Sequence, residues 1–444
     1  MNHRDKSRRK ILGIIIAMAI VAFCFTPQYR NTVKFPEQLR MTDDQITEVV
    51  VGFPLTVHVR PDQDNIVKVN GNPLNLFGRT IDFGRPVSIE PVSLGKVTLE
   101  FRLLGFIPFK RLAIDVIPRL KLHAGGHSIG VLLHSDGVSV VGLSAVNGTD
   151  GRTHYPARDA GVEIGDLITD INGQPVSDDE QVAQLVDEIG RLGQPAVLTI
   201  RRNGQVQTRT IRLVLCEETR RYRMGLWIRD GAAGVGTMTF FDPQSRRYGA
   251  LGHVIADMDT NRPIEIEDGQ IVAASVSRIE PGKRGQPGEK IGTFSHNRDA
   301  IGTIDRNTPF GIMGYLFKPP ESNLYSEPLP IAMMNEVRPG PAKIVTVISG
   351  RKLEEFDVEI VRVNPQPTPH AKGMVIKVVD RRLLAATGGI VQGMSGSPII
   401  QDGRLVGAVT HVFVNDPTKG YGVFIEWMII DSGILESQQN ISAA

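Results

Sequence analysis

Cysteine is scarce in this chain. Only Cys24 and Cys216 occur among 444 residues, and Cys24 lies in an N-terminal apolar run. The two are not expected to pair, which excludes a disulfide framework. A tetrahedral zinc centre built on several thiolates is excluded by the same count. No cofactor or metal is expected. Aromatic residues make up only 6% of the chain, and the formal net charge is +2. No basic stripe stands out, so nucleic acid is not an expected partner. Glycine and proline are plentiful instead, at 46 and 28, which suits many short strands and turns. The length allows two or three domains.

The segment MNHRDKSRRK is strongly basic, and the uncharged run Ile11 to Phe25 follows it. A basic flank before an apolar run is an export signal whose basic end stays in the cytoplasm. The run is shorter than the roughly 20 residues of a relaxed transmembrane helix. Its A-x-A triplet, Ala17 to Ala19, lies inside the run and not after it. Residues 1–30 therefore read as a cytoplasmic stub and an uncleaved signal anchor. It meets the membrane through residues 11–25, and the bulk of the protein works outside the cytoplasm.

Residues 31–122 read as a spacer followed by a small all-β domain, with alternating runs such as LTVHVR and KVTLEFRLLG. No chemistry can be named for it. Residues 123–216 form a second unit. It contains a helical stretch that Ser177 can cap, with Val182, Leu185, Val186 and Ile189 at helical spacing. A hairpin follows with its turn at Asn203-Gly204. The phrase AGVEIGDLITDINGQPV resembles a PDZ domain of the bacterial protease type. That resemblance implies binding of a peptide or C-terminal segment by strand addition. Its carboxylate-binding loop would be Ser128, Ile129, Gly130 and Val131.

Residues 217–436 alternate strand-like runs with Gly/Pro turns and read as an all-β barrel unit; 437–444 are a tail. The strongest local signal is GGIVQGMSGSPIIQDGRLVGAVTH. A nucleophilic serine needs an exposed hydroxyl, a base and amide donors for an oxyanion. Ser395 supplies the first, and the amides of Gly393 and Ser395 the last. Ser397 breaks the G-x-S-x-G pattern, which argues against an α/β-hydrolase elbow. The phrase is similar to that of chymotrypsin-like peptidases, which implies a double β-barrel. In that family the strand here carrying Thr410, His411 and Val412 pairs with the substrate backbone. His253, in YGALGHVIAD, is the expected base, with His411 its rival. For the orienting acid, Asp380 at the end of MVIKVVD stands beside Asp305 and Asp357. Asp257 and Asp259 are too near His253 in the chain.

The segment order, with GALGHVIADMDT, KIGTF, GMVIKVVD and GIVQGMSGSPIIQDGRLVGAVTHVF, resembles the stage IV sporulation protein B peptidases of endospore-forming bacteria. The resemblance implies the triad His253, Asp380 and Ser395. It implies a mainly β, multidomain enzyme exported from the forespore and anchored in its membrane, with its bulk in the intermembrane space. It further implies self-cleavage near the N-terminus, and the peptide at the PDZ unit would come from the regulator or from a second copy of the enzyme. The other substrate would be a membrane-bound regulator that restrains an intramembrane protease, and its cleavage would activate a late sigma factor. Two other readings are a PDZ adaptor with an inactive peptidase-like domain and a general envelope-quality protease.

Overall fold

The computed structural model describes residues 37–436 except 50–55, 83–84, 104, 258–259, 295–299, 321 and 367, together with Met18 and Thr26. The expected anchor (Met18 and Thr26 apart) and the tail 437–444 lie outside the described residues. No helix among the described residues is long and apolar enough to cross a membrane. The chain divides into two compact units, residues 1–120 and 121–444.

The first unit is all β. One sheet orders the strands Gln38–Thr42, Ile107–Ile117, Gly95–Leu103, Thr56–Pro61 and Arg79–Asp82, and a second has four short strands. Alternation sends Val57, Val59, Val97, Leu99 and Phe101 into one core. Burial of each such side chain stabilises by about 1.5–3 kcal/mol.

After the short strand Lys121–Ala124, the second unit runs through β1 (Ser128–Leu143), β2 (Leu167–Ile171), α1 (Asp179–Arg191), β3 (Ala196–Arg202) and β4 (Gln205–Ile211). It continues through β5 (Leu226–Phe241), β6 (Arg247–Ala250), β7 (Ile266–Ala273) and β8 (Glu289–Thr293). A closed barrel follows. It comprises β9 (Gly340–Val347), β10 (Leu353–Val363), β11 (Met374–Val378), β12 (Pro398–Gln401), β13 (Arg404–Phe413) and β14 (Asp416–Phe424). A short helix, α2 (Arg381–Thr387), joins β11 to the segment ahead of β12. The barrel order β9-β10-β11-β14-β13-β12 brings the end of β11, the start of β12 and the end of β13 to one rim.

Two long strands link the halves of this unit. Residues Ser128–His134 of β1 pair with Gly231–Thr237 of β5, and Ser139–Leu143 pair with Leu226–Arg229. A bulge separates the two stretches, where Gly137 takes φ +121°. A Cβ there would lie 2.3 Å from the Ile168 carbonyl oxygen, so only glycine fits. Strands β4-β3-β2 extend the sheet from the far half of β1, and α1 packs Val182, Leu185, Val186 and Ile189 into their core. The PDZ-like strands β2–β4 and α1 are therefore inserted between β1 and β5, whose near halves belong to the peptidase half.

Two expectations need correction. The segment Ser128, Ile129, Gly130 and Val131 is not a carboxylate-binding loop. Its residues 129–131 pair with β5 on one side and β7 on the other, and the Ser128 carbonyl accepts from Ala274 N. No edge is left for a peptide. The peptidase half contains a second closed circuit besides that barrel: β1, β5, β6, the strand Gly311–Tyr315, the strand Ala300–Thr303 and β7 pair in turn, the Gly302–Leu316 bridge completes the ring, and β1 and β5 run on from it into the PDZ-like module. Helix α1 is capped by Asp178, which accepts from Gln181 N at 2.6 Å, and not by Ser177. The Asn203-Gly204 turn forms as expected, with both residues at positive φ between β3 and β4.

Candidate active site

Ser395 lies in the tight segment between α2 and β12. Gly393 and Gly396 take φ +87° and +93°. A Cβ on Gly396 would stand 1.9 Å from the Thr237 carbonyl oxygen and 2.5 Å from Leu251 N. Small residues thus let the loop touch β5 and the turn after β6. Thr237 N donates to the Ser395 carbonyl at 3.0 Å, and Gly396 N donates to Val409 O at 2.8 Å. The amides of Gly393 and Ser395 donate to no acceptor among the described residues, which leaves both available to an oxyanion. The Ser395 hydroxyl is half-buried and donates to the Thr410 carbonyl at 2.6 Å.

His253 follows Leu251 and Gly252, both at positive φ. A Cβ on Gly252 would lie 3.0 Å from Thr410 Cγ2, so this turn abuts the strand on which Ser395 rests. The His253 Nδ1 lies 2.8 Å from the Val254 carbonyl. A carbonyl only accepts, so Nδ1 carries the proton and Nε2 of the neutral ring keeps its lone pair. Burial lowers the His253 pKa below the ordinary imidazole value. Its ring lies against that of His411, with centroids 4.9 Å apart. Burial, His253 and Lys372 together push His411 down to about 4.

Thr410, His411 and Val412 lie where β13 runs past its pairing with β12, and a bulge interrupts its pairing with β14 between Val409 and Val412. Thr410 is buried, while His411 keeps an exposed edge.

Asp380 sits on the same barrel rim but is engaged elsewhere. Its Oδ1 accepts from Arg382 N at 2.8 Å and Arg382 Nε at 3.2 Å. Its Oδ2 accepts from Arg382 Nη2 at 2.7 Å and Asp357 N at 3.3 Å. It therefore caps α2, and the Arg382 guanidinium holds its carboxyl at about 2. No hydrogen bond among the described residues joins Asp380 to His253, or His253 to Ser395. In the described geometry Val254 supplies the acceptor at Nδ1. That carbonyl had no signal in sequence, since any residue carries one. Lys290, buried beneath the Ser395 loop, was also missed, because a lysine in a strand-like run reads as solvent-facing.

Residues 220–429 match the SpoIVB peptidase S55 family. The chain carries a SpoIVB-type serine peptidase domain. Residues 149–202 match a PDZ domain, a span that excludes Ser128–Val131. The chain is a serine endopeptidase of mainly β structure. No curated protein matches it. Among solved structures it is similar to the Rv3671c protease from M. tuberculosis in its active form, at 15% identity, covering 46% of this chain and 74% of that one with a TM-score of 0.28. It is also similar to Deg5, at 16% identity, covering 44% and 81% with a TM-score of 0.27. Human heparin binding protein has 14% identity, 44% and 83% coverage and a TM-score of 0.23.

Proposed function

We propose that this SpoIVB-type peptidase is a signalling enzyme of spore formation, tethered through residues 11–25, with Ser395 as nucleophile and His253 as base. The observation that carries the chemistry is the His253 tautomer. Nδ1–H is bound to Val254 O, so Nε2 is the basic nitrogen, in a turn that abuts the Ser395 loop. In catalysis the Ser395 hydroxyl leaves the Thr410 carbonyl and gives its proton to Nε2 as Oγ attacks the scissile carbonyl. The oxyanion settles on the amides of Gly393 and Ser395. His253 then passes the proton to the leaving amine and later activates water. Asp380 is the proposed acid, which joins His253 once Arg382 releases it.

The substrates of this reading are the chain's own N-terminal region and a membrane-bound regulator of an intramembrane protease, cut between the two spore membranes. The order of anchor, PDZ module and SpoIVB-type domain supports it. The PDZ module takes a peptide segment in a groove of about 660 Å³ between α1 and the start of β5, lined by Val182, Ala183, Val186, Leu226 and Trp227. On β5, Leu226–Ile228 pair as strand only with β1 among the described residues, which leaves an edge for strand addition. The test is Ser395→Ala in the full chain. Self-cleavage and labelling by a fluorophosphonate should both vanish; self-cleavage at the wild-type rate would overturn the proposal.

A further inference from the structure

Lys290 on β8 is 1% exposed, and no carboxylate pairs with it among the described residues. Burying such a group is costly unless its donors are used, so its partners define its role. The Nζ donates to Thr346 Oγ1 at 2.7 Å and reaches Thr237 Oγ1 at 3.5 Å. Both hydroxyls are fully buried, and both lead to the nucleophile loop. Thr237 Oγ1 donates to the Gly393 carbonyl at 2.7 Å. Ser397 Oγ donates to Thr346 Oγ1 at 3.0 Å. The Lys290 backbone completes the clamp, since its N–H donates to Gln392 O at 2.9 Å. Its stem also lines the loop, because a Cβ on Gly393 would lie 3.0 Å from Lys290 Cβ.

We propose that Lys290 is a positioning residue for acyl transfer: through Thr237 and Thr346 it fixes Gly393 and Ser397 on either side of Ser395, and so aims the Gly393 and Ser395 amides at the oxyanion. The orientation of a peptide unit links its two ends. Lys290 N–H on Gln392 O fixes the unit that carries the Gly393 amide, Thr237 Oγ1 on Gly393 O fixes the next unit, and Thr237 N–H on Ser395 O fixes the one after Ser395, so the unit carrying the Ser395 amide sits between two held neighbours. Burial alone lowers the Lys290 ammonium to about 7, but an amine and an ammonium both donate, so the clamp holds in either form. Lys290 touches no substrate; it acts through the loop. The inference rests on Ser395 as the nucleophile.

The test uses the full chain and the variants Lys290→Met, Lys290→Ala and Thr346→Val, with Ser395→Ala as control. Lys290→Met keeps the stem and removes the donor. Folding is checked by near-ultraviolet circular dichroism, and kcat and KM are measured on a peptide carrying the self-cleavage sequence. Folded Lys290→Met should lose kcat by about tenfold or more with KM within about twofold. Fluorophosphonate labelling of Ser395 should slow in parallel, and propylamine should restore part of the Lys290→Ala rate. A folded Lys290→Met with wild-type kcat, or a loss confined to KM, overturns the proposal. If Lys290→Met does not fold, Thr346→Val decides, and an unchanged kcat in it has the same meaning. Wild-type labelling that survives Ser395→Ala would instead refute the nucleophile, so the two failures are distinguishable.

Discussion

The Ser395 hydroxyl is bonded to the carbonyl of Thr410 at 2.6 Å. A serine that donates to a backbone carbonyl is not activated, since that oxygen cannot remove its proton. Release of this bond toward His253 is one of two local changes, with release of Asp380 by Arg382, that separate the described geometry from the proposed reactive one. The same carbonyl belongs to the strand expected to hold substrate. A substrate backbone on Thr410–Val412 therefore competes with Ser395 for its resting acceptor.

The pH dependence should follow His253. Burial lowers its pKa, so the neutral, basic ring persists into more acid solution than for free imidazole, whose value lies near 6.5. The acid limb of kcat/KM should accordingly fall below that value, as read from a pH–rate profile of the wild-type chain. A limb above it would show that His253 is not the base.

Asp380 carries two separable predictions. Its folded pKa, about 2 against 3.8, is depressed. Its contribution to stability is therefore full above about 4 and is lost as pH falls toward about 2. The size is at most roughly 2 kcal/mol, and less in practice because Arg382 is solvent-exposed. Acid unfolding of Asp380→Asn should lack this part of the pH slope. Asparagine also caps helices, so the variant should fold. Its kcat/KM should fall by about a hundredfold or more if Asp380 orients His253 during turnover. Unchanged kcat/KM would restrict Asp380 to capping α2.

Gly130 separates a structural position from a binding loop. A Cβ there would lie 2.7 Å from both Phe294 Cγ and Val272 Cγ2. Gly130→Ala should destabilise the second unit by roughly 1–3 kcal/mol, seen as a lower denaturant midpoint, with peptide affinity of the folded protein unchanged. A selective loss of affinity would return the peptide to Ser128–Val131.

The groove beside α1 gives the complementary result. Ala183→Trp should fill it and weaken binding of a fluorescent peptide by about tenfold or more, measured by anisotropy. Ser395 should still react with the fluorophosphonate. Unaltered peptide affinity would place the PDZ ligand elsewhere.

Much of this protein is written in short-range patterns. Alternation marks the strands of the first unit, Asn203-Gly204 marks a hairpin, and the spacing of Val182 to Ile189 marks α1. The glycines around Ser395 announce a tight, exposed turn because backbone conformation there is local. Strand partners and the surroundings of a charge are not local. Ser128–Val131 look like a PDZ loop in sequence, yet they become an inner strand because β5 and β7, about a hundred residues or more downstream, claim both edges. The same pairing inserts the PDZ module between β1 and β5, whose near halves belong to a closed ring of six strands. Asp380 lies two residues past the apolar strand that the sequence puts it on, as the cap of α2, and Arg382, two residues on, takes its carboxylate. Lys290 looks like any surface lysine, and only the tertiary structure buries it under the nucleophile loop. The residue types that can do acyl transfer are local information. Which donors face which acceptors depends on contacts across the chain, and folding alone decides them.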